Sequence, residues 1–211
     1  MSNDLPPTVH ASARQDVPVI DLSQAPGAGE AWDRPKWMIY AWAAAEQLII
    51  HNPWQVSSGL RVRALRLFGA EVGEGVIIRT RTRIKFPWKL RVGDHAWIGE
   101  GVWIHNQDQV TIGHNAVVSQ DTFITTGSHA HRKDMGLVTR PVTIDDGAWV
   151  TSRCVVTGGV TVGRSALVQP TTLVNRDIDP NTVIGPGEVV VKGRRFDVVV
   201  PQSPSSTHEP Y

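Results

Sequence analysis

Residues 144–174 read IDDGAW VTSRCV VTGGVT VGRSAL VQPTTL V, and Ile144, Val150, Val156, Val162, Val168 and Val174 fall at every sixth place. The spacing continues upstream in three blocks: Val72, Ile78, Ile84, then Val92, Ile98, Ile104, then Ile112, Val118, Ile124. All fifteen places hold Val or Ile. Period six fits neither an amphipathic helix nor a half-buried strand of period two. It fits three short strands per coil, a triangular prism with one aliphatic side chain per side pointing inward. Four residues after each aliphatic comes a mostly small or β-branched residue, such as Ala96, Val102, Ala116, Thr122, Ala148, Cys154 or Ala166. By this rule Ser128 also points inward. Coils stacked as parallel ladders at ~4.8 Å give five to six coils between residues 72 and 192, a prism roughly 25–30 Å long. Pairs of added residues (Leu90 to Val92, Val110 to Ile112, Val142 to Ile144) lengthen some coils from eighteen residues to twenty. Gly73, Gly93, Gly99, Gly113 and Gly163 directly follow the aliphatic residue, which reads as a corner demanding unusual backbone angles.

Four regions emerge. Residues 1–35 are polar, with Asp4, Asp16, Asp21, Glu30 and interspersed prolines, an arm draped or mobile and unlike a signal peptide. Residues 36–69 read as helical with interruptions near Pro53 and Ser57-Ser58-Gly59. Residues 70–192 are the repeat region, and 193–211 a loose tail. Trp37–Ile50, the most apolar stretch, has fourteen residues including Glu46 and Gln47. A spanning helix needs ~20, so the segment reads as packed on the domain, with Trp37, Tyr40 and Trp42 also suiting a peripheral membrane contact.

The 211 residues carry a net charge of +1, which gives no whole-protein field for gripping nucleic acid. One cysteine, Cys154, excludes an intrachain disulfide framework and makes the cytoplasm the expected compartment.

The hexad stops after Ile124 and resumes at Val142. A solenoid admits an insertion only as a loop leaving a corner. The loop, about 127–141, holds His129, His131, Arg132, Lys133, Asp134 and Arg140. His129 leaves the rigid prism first, and an imidazole titrating near neutral pH suits a general base.

The repeats, with Leu65-Arg66-Leu67-Phe68-Gly69-Ala70, Pro87-Trp88-Lys89-Leu90, Val102-Trp103-Ile104, Val110-Thr111-Ile112-Gly113, Thr126-Gly127-Ser128-His129 and Pro141-Val142-Thr143-Ile144, resemble the hexapeptide-repeat acyltransferases. Within them the chain is most similar to the sugar O-acetyltransferases of exopolysaccharide synthesis, of the colanic-acid type, over residues 36–192. The resemblance implies an all-β fold, a left-handed parallel β-helix with an N-terminal helical segment. It further implies acetyl-CoA as donor, a hydroxyl of a sugar or exopolysaccharide precursor as acceptor, no metal, and a homotrimer with active sites between subunits. It puts the family's catalytic histidine at His129, an acceptor-holding side chain at Asn106, and an oxyanion-binding N–H at Ser152. Trp149 would wall the pantetheine slot. Gly158, Gly159, Arg164, Arg176, Lys192, Arg194 and Arg195 would line the groove for coenzyme A. Two departures stand out. Gln169-Pro170 replaces an Ala-Gly pair, so Pro170 lacks an N–H that could bond the donor, and Gly185-Pro186-Gly187-Glu188 replaces a Gly-Asn-Pro-Ala segment.

Two other readings fit the residue types. A metal-dependent enzyme like the γ-carbonic anhydrases would draw ligands from His105, His114, His129 and His131, although the last pair is two apart where that family has five. A non-enzymatic scaffold would use the prism faces only to hold partners.

Overall fold

The computed structural model describes residues 19–27 and 29–187. Three sheets of parallel strands form the faces of a prism. The first face stacks Glu71–Val72, Leu90–Val92, Val110–Ile112, Val142–Ile144 and Thr161–Val162. The second stacks Ile77–Ile78, Trp97–Ile98, Val117–Val118, Trp149–Val150, Leu167–Val168 and Val183–Ile184. The third stacks Arg83–Ile84, Trp103–His105, Phe123–Thr125, Val155–Val156 and Leu173–Val174. The registers are those the period requires, for example Ile78↔Ile98 and Val150↔Val168. The fold is the left-handed parallel β-helix, with a small helical segment before it.

Fourteen of the fifteen repeat aliphatics are buried, and Val72, on the first coil, is partly so. Each buried Val or Ile side chain contributes about 1.5–3 kcal/mol relative to exposure. Small partners such as Ala96, Ala116, Ala148 and Cys154 fill the remaining interior. Three expected inward positions fail: Trp88 and Asp108 are partly exposed, and Ser128 is exposed. At this third corner the interior is instead filled two residues after the aliphatic, by Phe86, Asn106 and Thr126. The lengthened coils explain the shift. The chain re-enters the first face two residues early, burying Leu90, Val110 and Val142, and in two of these coils the third strand runs to a third residue, Trp103–His105 and Phe123–Thr125.

The glycines after the aliphatic residues serve a purpose other than the expected one. The left-handed conformation falls three residues after the aliphatic, at Gly75, Arg81, His95, Gly101, Asn115, Asp121, Gly147, Arg153, Gly159, Ser165 and Thr171, with φ from +55° to +89°. Gly93, Gly99, Gly113 and Gly163 have no such φ. A Cβ there would lie 2.5–2.7 Å from a backbone nitrogen of the next coil (His114, Gln120, Asp146 and Pro180, respectively). These glycines permit one coil to approach the next.

The first coil would present an edge of unpaired backbone groups, a template for unwanted strand pairing. The helical segment closes it with side chains. Helix α1 (Lys36–Ala45) continues into a π turn, Glu46–Ile50, and α2 spans Ser58–Leu67 after an N-cap at Ser57. Trp42 Nε1 donates to the Ile84 carbonyl, and Glu46 accepts from the Ile84 amide. Ser58 Oγ accepts from the Ile78 amide, while Arg66 donates to the Val72 and Gly73 carbonyls. Buried Arg61 donates to the carbonyls of Ile78, Ile50, Asn52 and Gln55. Burial raises the Glu46 carboxyl above its ordinary pKa, against smaller opposing effects from the Ile84 amide, His51, Lys85 and Arg83.

The part of the N-terminal arm that is described lies along the prism. Asp33 accepts from Trp88 Nε1 at 2.7 Å and pairs with Lys89, and Trp32 packs edge-on against Phe86. Residues 1–18 and the tail 193–211 lie outside the described residues, as do Glu188, Lys192, Arg194 and Arg195.

Candidate active site

The interruption after Ile124 is a β-hairpin and not an irregular loop. Gly127–His129 pairs antiparallel with Leu137–Thr139, closed by a turn in which the Lys133, Asp134 and Met135 amides donate to the Ala130 carbonyl. Its base is fixed on the prism: Thr126 is buried, and its carbonyl accepts from the Arg140 amide. Met135 takes a left-handed φ of +59°, and its carbonyl meets His129 Nδ1 at 2.8 Å. A carbonyl only accepts, so Nδ1 carries the hydrogen, and in the neutral tautomer Nε2 has the lone pair. The ring is exposed, oriented by the main chain, and available to act as a base through Nε2.

A cleft of about 330 Å³ opens beside it, lined by Thr125, Gly127, His129, His131, Arg140 and Gly158 among others. Gly158 belongs to this cleft for a steric reason: a Cβ would lie 2.8 Å from the Thr126 carbonyl oxygen. Gly159 takes φ +89°, packed under the Arg140 side chain. Thr125, Val138 and Thr157 also line the cleft and were not foreseen, because their membership depends on which coil stacks against which.

Asn106 does not face this cleft, contrary to expectation. It is fully buried, and its amide is committed to the coil below. Oδ1 accepts from the Phe86 amide at 3.0 Å, and Nδ2 donates to the Phe86 and Lys89 carbonyls at 2.6 and 2.9 Å. The side chain holds the long corner together. His105, its neighbour, packs against Trp103 and Phe123, and its pKa is lowered by burial first and by Lys85 second.

Trp149 and Ser152 lie elsewhere. Trp149 donates from Nε1 to Ser119 Oγ and lines a groove of about 500 Å³ on the second face, with Ile77, Trp97, Val117 and Gln120. That groove shares no residue with the His129 cleft. Ser152 sits at the next corner, where its carbonyl accepts from the Thr171 amide. Gln120, Ser152 and Pro170 stack in one column there, because Arg153 donates to the Gln120 carbonyl and Thr171 to that of Ser152. Among the described residues the Gln120 and Ser152 amides make no hydrogen bond, so this column offers free donors. Pro170 costs the ladder nothing, but it ends the column.

Of the basic residues expected around coenzyme A, Arg164 and Arg176 line neither cleft: Arg164 bonds Asp146 at 2.7 Å, and Arg176 is exposed after Leu173–Val174. Among the described residues no three His, Cys, Asp or Glu side chains converge as a metal site would require. His114 is held at a first-face corner, where it accepts from the Asp94 amide.

No family model matches the chain. It is 35% identical over 155 residues to the protein named as colanic acid biosynthesis acetyltransferase WcaF of Escherichia coli (strain K12), covering 72% of this chain and 85% of that protein. It is 28% identical over 118 residues to the galactoside O-acetyltransferase of the same organism, covering 54% of this chain and 58% of that protein. Among solved structures it resembles a hexapeptide-repeat acetyltransferase of Vibrio cholerae in complex with acetyl coenzyme A, with a TM-score of 0.66, 22% identity and coverage of 77% and 89%. It also resembles a galactoside acetyltransferase in complex with coenzyme A, with a TM-score of 0.62, 21% identity and coverage of 76% and 78%.

Proposed function

The chain belongs to the hexapeptide-repeat acetyltransferases that include WcaF, and from that premise we propose that it is a cytoplasmic O-acetyltransferase. It transfers an acetyl group from acetyl-CoA to a hydroxyl of a sugar or exopolysaccharide precursor. The observation that carries this reading is the placement of His129: Nδ1 held on the Met135 carbonyl, with the exposed residue lining an open cleft.

The reaction then runs as follows. The acceptor hydroxyl enters the cleft and hydrogen-bonds to Nε2. As its oxygen attacks the thioester carbonyl, Nε2 takes the proton. The C–S bond breaks, and the imidazolium returns the proton to the departing thiolate. The Met135 carbonyl holds the ring in place throughout. The negative charge on the thioester oxygen needs a donor, and the free amide of Ser152 supplies it.

Within one subunit Ser152 and Trp149 stand on a different part of the prism from His129. A homotrimer brings the His129 cleft of one copy to the Trp149 groove of the next, so each site forms between subunits. The half-exposed Trp97 and Trp149 rings support a partner on that face. In this arrangement Gly158 and Gly159 give the donor close access to backbone. The acceptor belongs to the sugars because the related enzymes are named for galactoside and colanic acid acetylation.

The test is acetyl transfer from acetyl-CoA to a panel of sugars, with free thiol measured as product. His129→Ala lowers turnover by ~10²–10⁴-fold, the usual contribution of a positioned base, while melting temperature and coenzyme A affinity stay as in wild type. His131→Ala has a mild effect. Near-normal turnover of His129→Ala at saturating donor overturns the assignment.

A further inference from the structure

The outer side of the N-terminal cap is apolar and exposed. Helix α1 uses one side on the prism, where Ile39 and Trp42 are buried. Of the three aromatics that suited a membrane in the sequence, Trp42 is therefore taken by the fold. The opposite side carries Trp37, Tyr40, Ala41, Ala44 and Leu48, at the i, i+3, i+4, i+7 and i+11 spacing of one helical stripe, and all five are exposed. Trp37 is 71% exposed, Tyr40 70% and Leu48 69%. The turn that follows adds Trp54 at 90% and Val56 at 83%. Soluble proteins rarely leave such a run of large apolar side chains in water without a partner.

Charge says what that partner is. Between residues 34 and 70 the sequence holds one acid, Glu46, which turns inward to the Ile84 amide. The exposed charges there are all cationic: Arg34, Lys36, Arg63 and Arg66. An apolar stripe with Trp and Tyr, on a segment whose own exposed charges are all cationic, matches the headgroup region of an anionic bilayer, where aromatic rings sit at the interface and Lys and Arg meet lipid phosphates. From Lys36 to Ile50 the helical rise is about 22 Å, and no described helix is long and apolar enough to cross a membrane, so the segment lies on the surface and does not span it. A second copy meeting this stripe about a twofold axis would set the same cations against each other.

We propose that the Trp37–Val56 surface docks the enzyme on anionic lipid, with the stripe inserted and the segment's cations on the headgroups. The cap already closes the first coil of the prism, so docking requires no rearrangement of the fold.

Co-sedimentation with vesicles tests this, using phosphatidylcholine alone and phosphatidylcholine mixed with phosphatidylglycerol. Wild type binds the mixed vesicles, and added salt weakens the binding. Trp37→Ser with Trp54→Ser weakens it by about 100-fold, at about tenfold per lost aromatic anchor. Lys36→Gln with Arg63→Gln weakens it about 25-fold, at about fivefold per cation. Both double variants keep the wild-type melting temperature and acetyl transfer to a soluble sugar. Failure of wild type to bind mixed vesicles overturns the proposal, as does unchanged binding by the variants. Sedimentation showing that the Trp variant breaks up the wild-type oligomer also overturns it, because the stripe would then be a contact between copies.

Discussion

Replacing Asn106 by alanine separates a residue that builds the corner from one that holds the acceptor. The side chain makes three hydrogen bonds, one from the Phe86 amide and two to the Phe86 and Lys89 carbonyls, all inside the prism. A net ~1 kcal/mol for each gives a destabilisation of about 3 kcal/mol. At ~2–4 °C per kcal/mol for a chain of this size, the midpoint falls by about 6–12 °C. Asn106→Asp keeps the shape and the bond from Phe86, but turns an anionic oxygen towards two carbonyls. It is therefore worse than alanine at neutral pH. Burial raises the introduced carboxyl's pKa, so the folded state binds the proton more tightly, and this variant recovers as the pH falls. Scanning calorimetry gives the midpoints, and turnover of the folded fraction at saturating acetyl-CoA gives activity. If Asn106→Ala melts like wild type yet loses turnover, the side chain reaches the acceptor and the corner role is wrong.

Two further outcomes follow from the coils and their cap. Gly113→Ala places a Cβ 2.5 Å from the Asp146 nitrogen and 2.8 Å from the Asp145 carbonyl carbon, so it destabilises by about 2–3 kcal/mol, whereas Gly147→Asn at φ +67° costs less, because a Cβ there meets only Ser165 Oγ at 3.2 Å and Asn115 holds the same conformation; urea denaturation of the two checks the ranking, and the reverse order refutes it. Glu46→Gln raises the melting temperature at pH 7 and not at pH 4: burial raises the folded pKa of Glu46, so stability is lost as the pH climbs through it, and Gln avoids that loss while still accepting from the Ile84 amide. A difference that grows towards acid pH contradicts that sign.

The parts of this molecule that were legible in the sequence are those whose neighbours are fixed by the repeat itself. Ile98 stacks on Ile78 and beneath Val118 because every coil repeats the same step, so a periodic residue carries its own three-dimensional address. His129 was visible for the same reason, as the first titratable side chain beyond the point where the step breaks. What was misread depends on the chain that lies against a residue one coil away. Gly113 looks like a corner needing freedom of φ, but its reason is Asp146, brought next to it across the hairpin. Asn106 looks like a polar side chain at an active-site edge, but its partners are Phe86 and Lys89 on the preceding turn. Trp37 and Trp42 look alike in a stretch apolar on every side, and only the backbone edge at Ile84 decides which one turns in. The same rule governs the proposed active site. The hairpin carries the imidazole, while Trp149 and Ser152 lie on another part of the prism, so no period within one chain brings them together. If copies of the chain assemble the site as proposed, its two halves are separate signals in the sequence, and the half that breaks the repeat is the one that can be read.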